Sequence, residues 1–91
     1  MNQWKIGLSR ESLKFLDKNH LPKNTVVEAV TLAIKKLSGE IVSVDLKKLQ
    51  PPYEGYFRIR VGKMRITCAF DFYINFVDVA EVNWRGSAYK K

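Results

Sequence analysis

The feature that most constrains the fold is an alternation of apolar and charged residues on both sides of Gly62-Lys63. In Tyr56-Phe-Arg-Ile-Arg-Val61, the odd and even positions fall on opposite faces of a strand, so the two arginines share one face. A two-residue loop with glycine first suits a type II′ hairpin turn. It pairs residues of like polarity: Val61 with Met64, Arg60 with Arg65, Ile59 with Ile66 and Arg58 with Thr67. A slip of one residue would set arginines against apolar partners, so the pattern predicts this register.

Before the hairpin, the sequence predicts a short strand and two amphipathic helices. Alternation over residues 4–8 indicates the strand, and Ser9 is a suitable N-cap for a helix over 10–18. The second helix is expected to begin at Pro22, or at Thr25 with a capping-box spacing to its glutamate, and to end at Gly39. Its apolar residues recur every three or four positions: Val26, Val30, Ala33 and Leu37, widened by Val27 and Ile34.

The segment between the second helix and the hairpin carries weaker signals. Residues 41–44 are mainly apolar and are expected to form a short extended piece. Pro51-Pro52 and Gly55 then indicate a stiff loop. We assign no function to this segment.

The last strand, residues 74–85, decides where Arg85 lies. A three-residue loop at 71–73 would set Val77 opposite Thr67 and Val79 opposite Arg65. Arg85 would then lie further along the arginine-bearing face, whereas a β-bulge would reverse the parity.

A length of 91 residues is within the range of one domain, so residues 1–91 are predicted to form a single domain. The expected fold class is α+β: an N-terminal strand, a two-helix hairpin and a three-stranded antiparallel meander. Both helices are expected to pack on one face of the sheet.

The cysteine and histidine content argues against several kinds of site. Cys68 has no partner for an internal disulfide, which favours a reducing, cytoplasmic location. With His20 it makes two potential ligands, fewer than the usual four of a structural zinc site. Neither a signal peptide nor an apolar run of bilayer length is present, so we expect no membrane association. Cys68 is expected to fill the core and His20 to lie at the surface.

The placement of the arginines is more informative than the net charge of +7. Four of the five are predicted on one sheet face: Arg58, Arg60, Arg65 and Arg85. Like charges opposite one another destabilise a sheet by up to about 1 kcal/mol, so folding gains nothing from pairing Arg60 with Arg65. Because guanidinium groups bind phosphate oxygens in bidentate fashion, the cluster predicts a phosphate-binding face. The alternative is a set of solvated surface charges whose stems cover apolar surface.

Three aromatic residues are close to these arginines in the predicted arrangement. Tyr56, Trp84 and Tyr89 are suited to stacking on unpaired bases, which favours single-stranded nucleic acid over a duplex groove. Each of them is also explained by ordinary packing.

From Leu49 to Tyr89 the chain resembles the RelE/ParE superfamily of toxins from type II toxin–antitoxin systems. The most specific part is Tyr56-Phe57-Arg58-Ile59-Arg60-Val61-Gly62-Lys63-Met64-Arg65-Ile66. The preceding strand and helix pair follow the order of the same family. The resemblance implies a RelE-like fold, a cytoplasmic toxin and a cognate antitoxin protein as its partner.

The two branches of that family imply different activities. The RelE branch resembles ribosome-dependent endoribonucleases that cut mRNA on the ribosome without a metal or a small-molecule cofactor, and we favour this mRNA interferase activity. The ParE branch inhibits DNA gyrase on the same fold and is the first alternative. An inactive homologue that only binds an antitoxin is the second.

The resemblance also implies roles for single residues. Arg58 and Arg60 match the basic strand residues that contact the scissile region, and with Lys63 they are the expected RNA-binding set. Arg65 matches the arginine after the hairpin turn, and Arg85 the one at the end of the last strand. Tyr89 matches the C-terminal tyrosine, which stacks on the substrate. These three form the expected catalytic set, with Tyr89 or Lys63 as the general base.

Overall fold

Residues 3–84, the part of the chain that the computed structural model describes, form one five-stranded sheet and two helices. The elements along the chain are β1 (Lys5–Leu8), α1 (Arg10–Lys18), α2 (Lys23–Leu37), β2 (Asp45–Lys48), β3 (Phe57–Val61), β4 (Met64–Asp71) and β5 (Phe76–Trp84). The strands lie in the order β1-β5-β4-β3-β2, with β1 parallel to β5 and the other neighbours antiparallel. The α+β class and the expected order of elements are confirmed.

One additional strand extends the predicted meander. The extended piece expected at 41–44 lies instead at Asp45–Lys48, where β2 pairs with β3. Leu46 is opposite Ile59 and half-buried, whereas Ile41 is fully exposed. The alternation of polar and apolar residues in β2 therefore decides which residues join the sheet, rather than the apolar run before it.

The hairpin has the predicted register. Val61 is opposite Met64, Arg60 opposite Arg65, Ile59 opposite Ile66 and Arg58 opposite Thr67. Gly62 has a φ of +58°, the left-handed conformation that the first central residue of a type II′ turn requires.

Both helices begin and end close to the predicted positions. Ser9 caps α1, and its side chain accepts a hydrogen bond from the Ser12 backbone N–H. Pro22 is the N-cap of α2, so the alternative start at Thr25 is wrong. Glu28 accepts a hydrogen bond from the Asn24 side chain at 2.8 Å instead of closing a capping box. Within residues 3–84, neither helix combines the length and the apolar character needed to cross a membrane.

The predicted register of the last strand is wrong. The loop between β4 and β5 covers residues 72–75, Val79 is opposite Cys68, and Asn83 is opposite Arg65. Between the pairs Thr67–Glu81 and Cys68–Val79 the register shifts, so Ala80 is the extra residue of a β-bulge.

The physical reason for the bulge is the core. Val77, Val79 and Val82 are all buried. Val79 and Val82 are three positions apart, so both can lie on the core face only if β5 contains one extra residue between them. The start of α1 contacts the bulge directly, because the Ser9 hydroxyl donates to the Ala80 carbonyl at 2.7 Å. The Ser9 backbone N–H donates to the Val79 carbonyl at 3.0 Å.

The helices cover one face of the sheet. The core between them contains Leu16 of α1, Val26, Ala29, Val30 and Ala33 of α2, and Ile59, Met64, Ile66, Cys68, Val77, Val79 and Val82 of the sheet. The opposite face, here called the outer face, carries the polar residues that alternate with the core: Asp45, Lys47, Arg58, Arg60, Arg65, Thr67, Asp78, Glu81 and Asn83. The predicted packing of both helices on one side is confirmed.

Candidate nucleic-acid interface

Three of the four predicted arginines come together on the outer face. Arg60 is the direct cross-strand neighbour of Arg65, and Arg58 lies two residues before Arg60 on the same side of β3. Arg58 and Arg65 are only 9% exposed, while the Arg60 side chain keeps 31% of its surface accessible. The outer face therefore holds a dense set of positive charges at the end of the sheet near the β3–β4 turn.

The remaining predicted site residues fall into two groups. Lys63 is exposed in the turn between β3 and β4, beside the arginines in sequence. Arg85 and Tyr89 lie outside the described residues, 3–84.

Trp84 does not join the arginines. Its ring contacts Phe15 of α1, with the centroids 5.2 Å apart and the planes at 64°. Trp84 lies opposite the buried Met64, on the helix side of the sheet, so the structure favours the packing role that the sequence left open over stacking beside the arginines. Tyr56 is half-buried at the residue before β3.

Asp45 is a residue of this face that the sequence reasoning missed. Arg58 Nη2 donates to Asp45 Oδ1 at 2.9 Å, and Arg60 Nη1 lies 3.6 Å from Asp45 Oδ2. One carboxylate thus bridges two arginines of the neighbouring strand. The signal was present in the alternation of Asp45, Leu46 and Lys47, which is typical of a half-buried edge strand.

The arrangement costs the fold free energy. The buried Nε atoms of Arg58 and Arg60 have no hydrogen-bond acceptor among the residues that the structure describes. A buried donor left without an acceptor costs about 1–3 kcal/mol. Together with the pairing of Arg60 and Arg65, this favours a binding role over an incidental set of surface charges.

Cys68 is a core residue, as predicted, and not a nucleophile. Its side chain is fully buried, and burial, with a smaller contribution from the Asp78 charge, raises the pKa of the Cys68 thiol to about 12. The thiol therefore stays protonated at neutral pH. Over residues 3–84, His, Cys, Asp and Glu side chains form no group of three that could hold a metal ion.

Known proteins resemble this chain in structure but not in sequence. A scan against protein-family models and a search of curated protein sequences both give no match. Solved structures do match: YafQ from Escherichia coli strain BL21(DE3) has a TM-score of 0.68 and 15% sequence identity, covering 97% of this chain and 100% of that chain. A chain of the toxin–antitoxin complex RelBE2 from Mycobacterium tuberculosis has a TM-score of 0.60 and 25% identity, covering 92% and 100%.

A third structure agrees with these two. A chain of the YoeB–YefM complex from Staphylococcus aureus has a TM-score of 0.61 and 15% identity, covering 92% of this chain and 99% of that chain. At these identities the likeness establishes the arrangement of the chain, over almost its whole length. The protein therefore has the fold of the RelE-like toxins of type II toxin–antitoxin systems, which the hairpin motif had implied.

Proposed function

We propose that this protein is the cytoplasmic toxin of a type II toxin–antitoxin system and acts as a ribosome-dependent, metal-independent endoribonuclease on mRNA. The observation that carries the proposal is the convergence of Arg58, Arg60 and Arg65 on the face of a RelE-like sheet that the helices leave uncovered. The pairing of Arg60 with Arg65 destabilises the sheet, whereas phosphate binding explains it directly.

The chemistry requires no group beyond the protein and the RNA. The ribose 2′-hydroxyl loses its proton to a base and attacks the adjacent phosphorus. As the new bond forms, the bond from phosphorus to the 5′-oxygen breaks, and that oxygen takes up a proton. The products are a 2′,3′-cyclic phosphate and a 5′-hydroxyl end.

The proposed division of roles follows from what each residue can supply. Arg58, Arg60 and Lys63 bind the phosphates around the cut. Arg65 and Arg85 stabilise the extra negative charge that develops on the phosphoryl oxygens. Tyr89 stacks on the substrate and is, with Lys63, a candidate for proton transfer. The ribosome contributes the alignment of the mRNA, which a chain of 91 residues need not provide itself.

The experiment is a cell-free translation reaction to which the purified protein is added, with mRNA ends mapped by primer extension. Cleavage within ribosome-bound codons is expected. Arg65→Ala should lower the cleavage rate about 10²–10³-fold, because it removes a charge that stabilises the transition state.

Two controls make the result interpretable. Arg10→Ala removes an exposed arginine on α1, away from the outer face, and should leave the rate unchanged. Arg60→Ala is a second test of the same face. The Arg60 side chain is more accessible than that of the buried Arg65, so its removal should disturb folding less. Intact mRNA with a folded wild-type protein would refute the proposal, and inhibition of DNA gyrase supercoiling by the same preparation would establish the alternative.

We also propose a cognate antitoxin as the partner of the arginine face. A disordered acidic segment that folds on contact would neutralise these charges and cover the site. The solved complexes RelBE2 and YoeB–YefM are toxin–antitoxin assemblies with chains of this fold, which supports such a partner.

A further inference from the structure

We propose that Asp45 is a positioning residue for this face: its carboxylate holds the guanidinium groups of Arg58 and Arg60 side by side in the arrangement that binds RNA phosphates. The inference rests on the proposed function and extends it to the edge strand β2. Asp45 itself carries the wrong charge to bind RNA, so its role is exerted through the two arginines.

The contacts are specific to this carboxylate. Asp45 is the first residue of β2 and the cross-strand partner of Arg60. Its two oxygens are divided between the arginines, with Oδ1 at 2.9 Å from Arg58 Nη2 and Oδ2 at 3.6 Å from Arg60 Nη1. A single side chain therefore determines the spacing of two guanidinium groups.

The burial of Arg58 makes this contact necessary. The Arg58 side chain is only 10% exposed, and a charge so buried is costly without an opposite charge beside it. Arg60 also faces Arg65 across the hairpin, so repulsion would otherwise push the guanidinium groups apart. Asp45 offsets both effects in the free protein.

The same contact leaves the pair able to bind a second anion. The carboxylate contacts one terminal nitrogen of each guanidinium group and the Nε atoms are buried, so the second anion would meet the other terminal nitrogen of each arginine. The Asp45 side chain is 49% exposed, so this end of the cluster is open to solvent. Prearranged donors lower the entropy cost of holding the phosphate at the reacting geometry.

This role predicts opposite effects on affinity and on rate. Removing the negative charge of Asp45 should leave RNA binding unchanged or make it tighter, because the net charge rises by one. The rate of cleavage in the bound state should fall, since the arginines lose their fixed arrangement. A residue needed only for folding would not separate these two quantities.

Three variants test the proposal. Asp45→Asn keeps the shape and an oxygen acceptor but removes the charge. Asp45→Glu keeps the charge and should recover part of the wild-type behaviour. Asp78→Asn is the matched control, because Asp78 is an exposed carboxylate on the outer face of β5, opposite Ala69, and its loss changes the net charge equally.

The first measurement requires no activity. Nitrogen-15 NMR spectra of the arginine Nε–H groups should show Arg58 and Arg60 shifted away from the exposed Arg10 in the wild type and in Asp78→Asn. In Asp45→Asn both signals should move toward the position of Arg10. Titration with a single-stranded RNA oligonucleotide should shift the two signals together in the wild type and not in Asp45→Asn. Unchanged signals and an unchanged titration in Asp45→Asn would refute the proposal.

The second measurement is the single-turnover cleavage rate of mRNA on programmed ribosomes at saturating protein. Asp45→Asn should lower this rate about ten- to a hundredfold without weakening half-maximal binding, and Asp78→Asn should stay within about twofold of the wild type. Equal rates for the two variants would contradict a positioning role. If the wild type leaves mRNA intact, the proposed function is refuted, and the NMR titration alone then decides whether Asp45 positions the arginines.

Discussion

At the scale of single residues, Cys68 shows how burial changes the chemistry of a side chain. The thiol lies in the core between the sheet and the helices, and burial is the main cause of its high pKa, about 12. In the unfolded chain the same thiol has a pKa of about 8.5. The folded state thus keeps a proton that the unfolded state releases in alkaline solution, which links stability to pH.

The prediction is a loss of stability as the pH rises. Below pH 8 both states bind the proton and the effect is absent; above about pH 9 only the folded state does. The free energy of unfolding should then fall by about 1.4 kcal/mol per pH unit from this thiol until the folded thiol ionises. Urea unfolding of the wild type and of Cys68→Ala at several pH values measures this effect. The free energy of unfolding should fall more steeply with pH in the wild type, and the difference between the two slopes is the contribution of the thiol. Identical slopes would contradict the predicted role of burial.

At the scale of elements, the bulge in β5 and the start of α1 depend on each other. Ser9 caps the helix and also donates to the carbonyl of Ala80, while the Ser12 hydroxyl donates to the carbonyl of Val79 at 3.3 Å. Both carbonyls lie at the bulge, and the Val79 carbonyl also accepts from the Ser9 backbone N–H at 3.0 Å, so the capping serines satisfy buried backbone groups of β5. Helix start and strand register are therefore determined together.

Ser9→Ala tests this dependence. The substitution removes the acceptor for the Ser12 N–H at 3.1 Å and the donor to Ala80, so stability should fall by about 1–3 kcal/mol. Thr31→Ala is the control: its hydroxyl also bonds a backbone carbonyl, but at an exposed position within α2. Its effect should stay within about 0.5 kcal/mol, because alanine is the better helix former. Chemical denaturation measures both, and equal losses would refute the coupling.

At the scale of the whole molecule, lysines and arginines are distributed differently over the fold. Within residues 3–84, the lysines lie on both helices, in the β3–β4 turn and on the two edge strands, β1 and β2, whereas the arginines of β3 and β4 gather on the outer face. Affinity for RNA that comes from phosphate contacts falls with salt, because each contact releases condensed counterions. The salt dependence therefore reports which charges touch the RNA.

We expect the salt dependence of RNA affinity to change when Arg58 is removed and to stay the same when an exposed lysine on α1 is removed. For a single-stranded RNA, the slope of log K against log salt is about −0.7 per phosphate neutralised. Arg58→Ala should lower the magnitude of the slope by about one such contact, and Lys14→Ala on α1 should leave it unchanged. Binding titrations at several salt concentrations measure both slopes. An unchanged slope in Arg58→Ala would mean that this arginine does not contact phosphate.

The hairpin and the convergence of Arg58, Arg60 and Arg65 follow from local sequence alone, because strict alternation and a two-residue turn leave one register that keeps the core apolar. So does the cap at Ser9, which is a contact between residues close in the chain. Other features depend on the assembled fold: the choice of β3 as the partner of β2, the bulge at Ala80, and the contact of Asp45 with two arginines. Each joins segments that are distant in sequence, and each is selected by how the core fills and by which buried polar groups find a partner.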